Sequence, residues 1–206
     1  MSHPLAGNTA LATQTDRVIL FDQRLLLYGK GQTDKDACYD GKQASGFEYS
    51  LEPGTLMARI TDSKLWCPVK RALANGAGVD TAALVVDEAR FFKVGETVTD
   101  GTFTEIEITA IDYATNTLTL EAAQDWADNA QITCDSLPGS EYARAVLDEY
   151  VDHWDKDART VRQMNIGKLL VSGCVKAAMV LGDLVAVRAA SNGLSHVIFD
   201  DDIGQD

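Results

Sequence analysis

Phe47 to Ile60, F-E-Y-S-L-E-P-G-T-L-M-A-R-I, constrains the fold most: two alternating runs meet at Glu52-Pro53-Gly54-Thr55. Phe47, Tyr49 and Leu51 share one side before the hinge, and Leu56, Ala58 and Ile60 share one side after it. Glu48, Ser50, Met57 and Arg59 fall on the opposite side, the period-2 pattern of half-buried strands. Proline presets φ at the second position of a tight turn and glycine supplies φ > 0 at the third, which is type II chemistry. The chain therefore turns a corner here inside a β domain. A Pro-Gly turn between strands carries no functional information by itself.

The 206 residues can bury one β-rich core with an insertion, or two small cores. With 46% hydrophobic and 24% charged residues the composition is that of a globular chain. No apolar run reaches the roughly 20 residues that cross a bilayer, and M-S-H-P-L-A-G-N-T-A lacks the basic and apolar parts of a signal peptide. The expectation is a chain with no membrane partner. Thirty-one Asp and Glu against 18 Lys and Arg give a formal charge of −13, which repels phosphate backbones and argues against nucleic acid. Cys38, Cys67, Cys134 and Cys174 form no C-x-x-C pair, so they read as reduced, structural thiols in a protein assembled in a cytosol.

In chain order, residues 1–16 are small and polar with no hydrophobic period and read as a flexible arm. Arg17 to Tyr28 has two apolar bursts, one or two short strands, ending at Gly29-Lys30-Gly31. Gly29 to Thr33 holds the letters of a phosphate loop in the wrong order and reads as a flexible turn. Thr33 to Ser45 is polar. Asp34-Lys35-Asp36 opens like a calcium loop, but Cys38 stands where the third ligand belongs, so the segment reads as a solvated loop.

Thr61 to Lys64 reads as a turn, and Leu65 to Val69 as a short strand whose Pro68 places it at a sheet edge. Asn75 to Gly78 is loop, with a strand beginning at Ala82. From Asp87 to Cys134 isoleucine and leucine alternate with threonine and glutamate on both sides of Asp112 to Asn116, which predicts a hairpin. We read residues 87–136 as an inserted small β module, closed by a further strand near Trp126 to Ile132.

Tyr142 to Trp154 supports both alternation and a helical spacing, and the alternation is favoured. Lys156 to Ile166 and Gly167 to Val175 read as strands, the second interrupted at Gly173. Asp183 can cap a short helix through Ala190 with Asn192-Gly193 at its end, and Val197 to Phe199 is a closing strand.

The search for catalytic and metal motifs returns none: no G-x-S-x-G, H-E-x-x-H, Walker loop or G-x-G-x-x-G occurs. His3, His153 and His196 are scattered, and His153 in D-H-W-D reads as a solvated histidine among acids. No cofactor is called for, and the chain reads as a non-enzyme. The rival enzyme reading would rest on acids such as Glu149 and Asp152.

Glu52-Pro53-Gly54-Thr55-Leu56, the strand with Trp66, Ala145 to Glu149, G-K-L-L-V-S-G-C-V and the closing H-V-I-F-D-D-D together resemble the lambda-type head decoration proteins of tailed phages. The resemblance covers roughly residues 47–75 and 140–202. It implies a mainly β (α+β), barrel-like decoration domain from residues 22–86 and 137–206, with a short C-terminal helix and the 87–136 insertion. It further implies a homotrimer on the outer surface of the virion's expanded capsid, with the major capsid protein as partner. Residues 1–21 take the place of the family's arm, and Glu52, Pro53, Gly54 and Thr55 match its Pro-Gly-Thr turn. In this reading Arg17, Val18, Ile19, Leu20 and Phe21 add a strand to the shell; equally, Val18 to Phe21 is a core strand. The insertion departs from the short family pattern. Head fibre bases, tail-tube subunits and adhesin domains are the alternative class.

Overall fold

A computed structural model of the chain describes residues 27–103, 105–153, 166–176, 180–189 and 197–200. The proposed arm strand Arg17–Phe21 therefore lies outside the described residues, as do most of Lys156 to Ile166 and the Asn192-Gly193 cap.

The described chain runs through β1 (Leu27–Gln32), β2 (Ser50–Leu51), β3 (Leu56–Arg59), β4 (Trp66–Pro68), β5 (Arg71–Leu73), β6 (Gly78–Val85) and β7 (Thr97–Thr99). It continues through β8 (Ile106–Asp112), β9 (Thr117–Trp126), β10 (Gln131–Cys134), β11 (Ala143–Leu147), β12 (Val151–Asp152) and β13 (Ile166–Lys176). A six-residue helix, α1 (Leu184–Ala189), and β14 (Val197–Asp200) complete it. The fold is mainly β.

The first sheet has the order β1-β13-β11-β3-β4, antiparallel throughout, with β14 parallel to the second half of β13. Thr33, just past β1, bridges to Trp66 on β4, and the Asp34 amide donates to the Trp66 carbonyl at 2.8 Å. The outer strands thus return toward each other and the sheet curls into a half-barrel. Gly29-Lys30-Gly31 is part of β1, paired with β13, and not a flexible turn. Gly31 has a packing reason: a Cβ there would overlap the indole of Trp66. β13 is continuous, but its partners change at Gly173, from β1 and β11 before it to β14 after it.

β3 is buried on both faces, because the pleat sends alternate side chains into different cores. Leu56, Ala58 and Ile60 pack with Cys67, Val69 and Val146, while Met57 packs with Leu51, Ala145 and Leu147. Before the corner the expected strand is shorter than its alternation: only Ser50–Leu51 pairs, with β12, whereas Phe47 is 46% exposed in a turn. The turn after β3 and the edge position of β4 follow the pattern, Lys64 taking φ 61°.

The second sheet has the order β5-β10-β7-β8-β9-β6. Just beyond β5 and β6, Ala74 bridges to Val86, Asn75 N–H donates to the Val85 carbonyl and Asp87 N–H to that of Leu73. The sheet closes around Leu84, Phe92, Ile108, Leu118, Trp126 and Ile132. The β8–β9 hairpin turns at Asp112 to Asn116, where Asp112 Oδ1 accepts the Ala114 amide and Asn116 has φ 53°. β5 and β6 belong to this sheet, so its membership starts at Arg71, ahead of the composition shift at Asp87. Asp183 Oδ1 accepts from Ala186 N–H and caps α1, while its Oδ2 accepts from Leu73 N–H on β5.

The Gly31–Trp66 contact yields a prediction. Gly31→Ala overpacks the closure and should destabilise the fold by about 1–3 kcal/mol, with much of the loss recovered in Gly31→Ala/Trp66→Leu. Urea unfolding of the single and double variants checks it.

Candidate functional site

The Glu52-Pro53-Gly54-Thr55 turn sits where the half-barrel's backbone converges. Gly54 has φ 95°, and the Thr55 amide donates back to the Glu52 carbonyl at 3.2 Å, the type II turn that the sequence predicts. From this turn Gly54 N–H donates to Leu147 O at 2.7 Å, and Leu147 N–H to Thr55 O at 2.8 Å. Leu181 N–H donates to Gly54 O at 2.9 Å, and Leu56 N–H to Leu181 O at 3.1 Å. The corner therefore joins β3 to the end of β11 on one side and to the segment leading into α1 on the other. Gly54 and Thr55 are buried; Glu52 and Pro53 are half-buried.

Glu52 also faces Arg90. The Arg90 guanidinium binds both oxygens of Asp40, with three contacts of 2.8 Å, and approaches Glu52 Oε2 at 3.8 Å. Burial pushes the Asp40 carboxyl above the usual carboxylate range, and Arg90 pulls it part of the way back. Thr33 to Ser45 is thus not a solvated loop. Ala37, Cys38 and Asp40 are buried, and Asp34 Oδ1 accepts the amides of Asp36 and Ala37.

A second junction lies deeper. Lys70 is fully buried, donating to Glu96 Oε1 at 2.5 Å and to the Phe91 carbonyl at 2.8 Å. Burial pulls the ammonium down, but the charge of Glu96 and its hydrogen bond to Lys70 outweigh it, so Lys70 stays charged. Glu96 Oε2 accepts the Lys93 amide. Lys70 N–H donates to Ser140 O and Cys134 N–H to Lys70 O, so this pair links the two sheets. Leu137 packs against both the first-sheet and second-sheet cores beside it. Sequence reasoning passed over Lys70, Asp40, Arg90 and Glu96. Lys70 had a signal, a cation directly after the apolar run L-W-C-P-V; the others had none, because their partners lie 26 and 50 residues away.

Charge is segregated around these junctions. Residues 94–143 contain no Lys or Arg and ten Asp or Glu. Arg90 reaches Asp40, Arg71 reaches the Glu141 carbonyl and lies over Tyr142, and Lys93 lies over Tyr39 and Tyr49. The cations of the 71–143 stretch all bind at the junction side, leaving the rest of the second sheet's surface anionic.

His153 is not solvated: it is 5% exposed, and its Nε2 lies 2.6 Å from Thr33 Oγ1. Burial pulls the imidazole below its ordinary value, against the charges of Asp152, Asp34 and Asp36. Asp152 Oδ1 accepts from Ser50 Oγ. Cys38, Cys67 and Cys134 are free and buried; burial raises all three thiols, Cys67 to about 12 and Cys134 to about 11, which keeps them protonated at neutral pH. A groove of about 330 Å³ runs past Asp34, Asp36, Lys93, Glu96 and Ser136. Among the described residues no three His, Cys, Asp or Glu side chains converge as metal ligands, and no helix is long and apolar enough to cross a membrane.

Fold and junctions together define a mainly β protein whose curled antiparallel half-barrel is fused through buried ion pairs to a second, anionic sheet. In comparisons with known proteins the chain matches no family model, no curated protein and no solved structure.

Two outcomes are expected. Gly54→Ala forces a side chain into the left-handed region and should cost about 1–3 kcal/mol in urea unfolding. Glu96→Gln strands the Lys70 charge and should cost about 3–5 kcal/mol, while Lys70→Met/Glu96→Gln costs less than Glu96→Gln alone.

Proposed function

We propose that the chain is a lambda-type capsid decoration protein. It binds the outside of an expanded phage head as a homotrimer and stabilises the shell by bridging major capsid subunits. The observation that carries this reading is the Glu52-Pro53-Gly54-Thr55 corner: the motif behind the resemblance is also the backbone hub of the half-barrel. In this proposal the half-barrel and α1 form the decoration domain, and the closed second sheet is the inserted module.

The physics fits a cement. An arm that adds a strand to a sheet edge binds through main-chain groups and needs little side-chain chemistry. Threefold copies raise the effective concentration of each arm at its neighbours' sites. Ordering the arm on docking opposes binding, so the mature lattice, which presents all three sites in register, is favoured. The segregated acidic surface suits the capsid exterior, away from packaged DNA. The closed second sheet with its own core also favours a second reading, a head fibre base, tail-tube subunit or adhesin domain.

Solution mass and negative-stain imaging separate these. The proposal predicts a particle of three 22.3 kDa chains that seats on threefold sites; rings or tubes contradict it. Deleting residues 1–21 should weaken binding to expanded shells by about a hundredfold or more. Full binding by the truncated chain would remove Arg17–Phe21 from the contact.

A further inference from the structure

The half-barrel closes where residues distant in sequence meet. Thr33 bridges to Trp66, Asp34 N–H donates to Trp66 O at 2.8 Å, and Cys38 N–H donates to Asp34 O at 2.9 Å. Cys38 Sγ also donates to Trp66 O at 3.6 Å. Behind Thr33 stands His153, 120 positions away, with Nε2 and Thr33 Oγ1 at 2.6 Å and the two residues only 5% and 3% exposed. His153 N–H donates to Tyr49 O, which ties the same residue to the loop entering β2.

We infer that His153 latches Thr33 into the closure of the half-barrel, and that charging its imidazole in mild acid releases residues 33–38 from β4. A neutral ring fits this site: one nitrogen meets the threonine hydroxyl, and the site is almost dry. A charged ring must either keep its proton out of water or leave. The charged groups facing it are Asp152 from β12, and Asp34, Asp36 and Lys35 from the docked segment itself. Burial and Lys35 disfavour the imidazolium and the three carboxylates favour it, with burial the largest effect.

The sign follows. A histidine held below its ordinary value of about 6.5 takes up its proton more readily in the open form. The closed form is therefore fully favoured above about pH 6.5 and loses ground as pH falls toward the depressed value, by at most about tenfold per pH unit for one proton. The segment released carries Asp34, Asp36 and Cys38, so opening changes the groove between the sheets and exposes a buried thiol. This device is independent of what the chain binds.

Hydrogen exchange on the full chain tests it. The Asp34 amide, bonded to Trp66 O on β4, reports the closure, and the Ile108 amide, bonded to Glu96 O in the second sheet, is the internal reference. Between pH 7 and pH 5 the protection of Asp34 relative to Ile108 should fall about tenfold. In His153→Gln, which cannot charge, the ratio should stay flat. Thr33→Val, which removes the latch partner, should be open and flat at both pH values and serves alone if His153→Gln does not fold. A flat ratio in the natural chain, or a fall in either variant as steep as the natural chain's, overturns the inference.

Discussion

The half-barrel depends on four main-chain hydrogen bonds around Gly54 and Thr55, made to Leu147 on one side and Leu181 on the other. These strands come from parts of the chain about 90 and 130 residues downstream, and without a shared acceptor and donor set they have no reason to meet at one corner. Glycine supplies the left-handed φ that turns one peptide unit toward both neighbours, and proline restricts the chain before it. Burial then makes the arrangement strict, since an unpaired amide in this core would lose a hydrogen bond it cannot replace from water.

Electrostatics join the two sheets in a similar way. Lys70 and Glu96 are buried together, and Arg90 clamps Asp40 next to Glu52, so the corner, the 34–45 loop and the second sheet share a run of ion pairs. Such pairs add little net stability over apolar packing, yet they penalise any arrangement that separates the partners. They act as a registry device. The same distribution leaves the far surface of the second sheet anionic, where like charges repel.

Local chemistry made part of this legible. The Pro53-Gly54 turn, the hairpin at Asp112 to Asn116, the edge position of the strand with Pro68 and the Asp183 cap all follow from a few adjacent residues. What the chain did not disclose was set by long-range partners. Gly31 looked like loop punctuation because its reason, the Trp66 indole, lies 35 residues on. His153 looked solvated among acids because Thr33 covers it from 120 positions upstream. The composition shift at Asp87 hid the fact that β5 and β6 complete the second sheet. For the site, the Glu52–Thr55 turn was visible and its role as a hub was not, because backbone bonds leave no side-chain signature.

Cosedimentation with expanded and unexpanded shells tests the central claim most directly, that this chain acts by fitting a lattice through its backbone edges. The account predicts saturable binding to expanded shells, at three copies for each threefold site, and none to unexpanded ones. A chain that stays in the supernatant with both, or pellets equally with both, contradicts it.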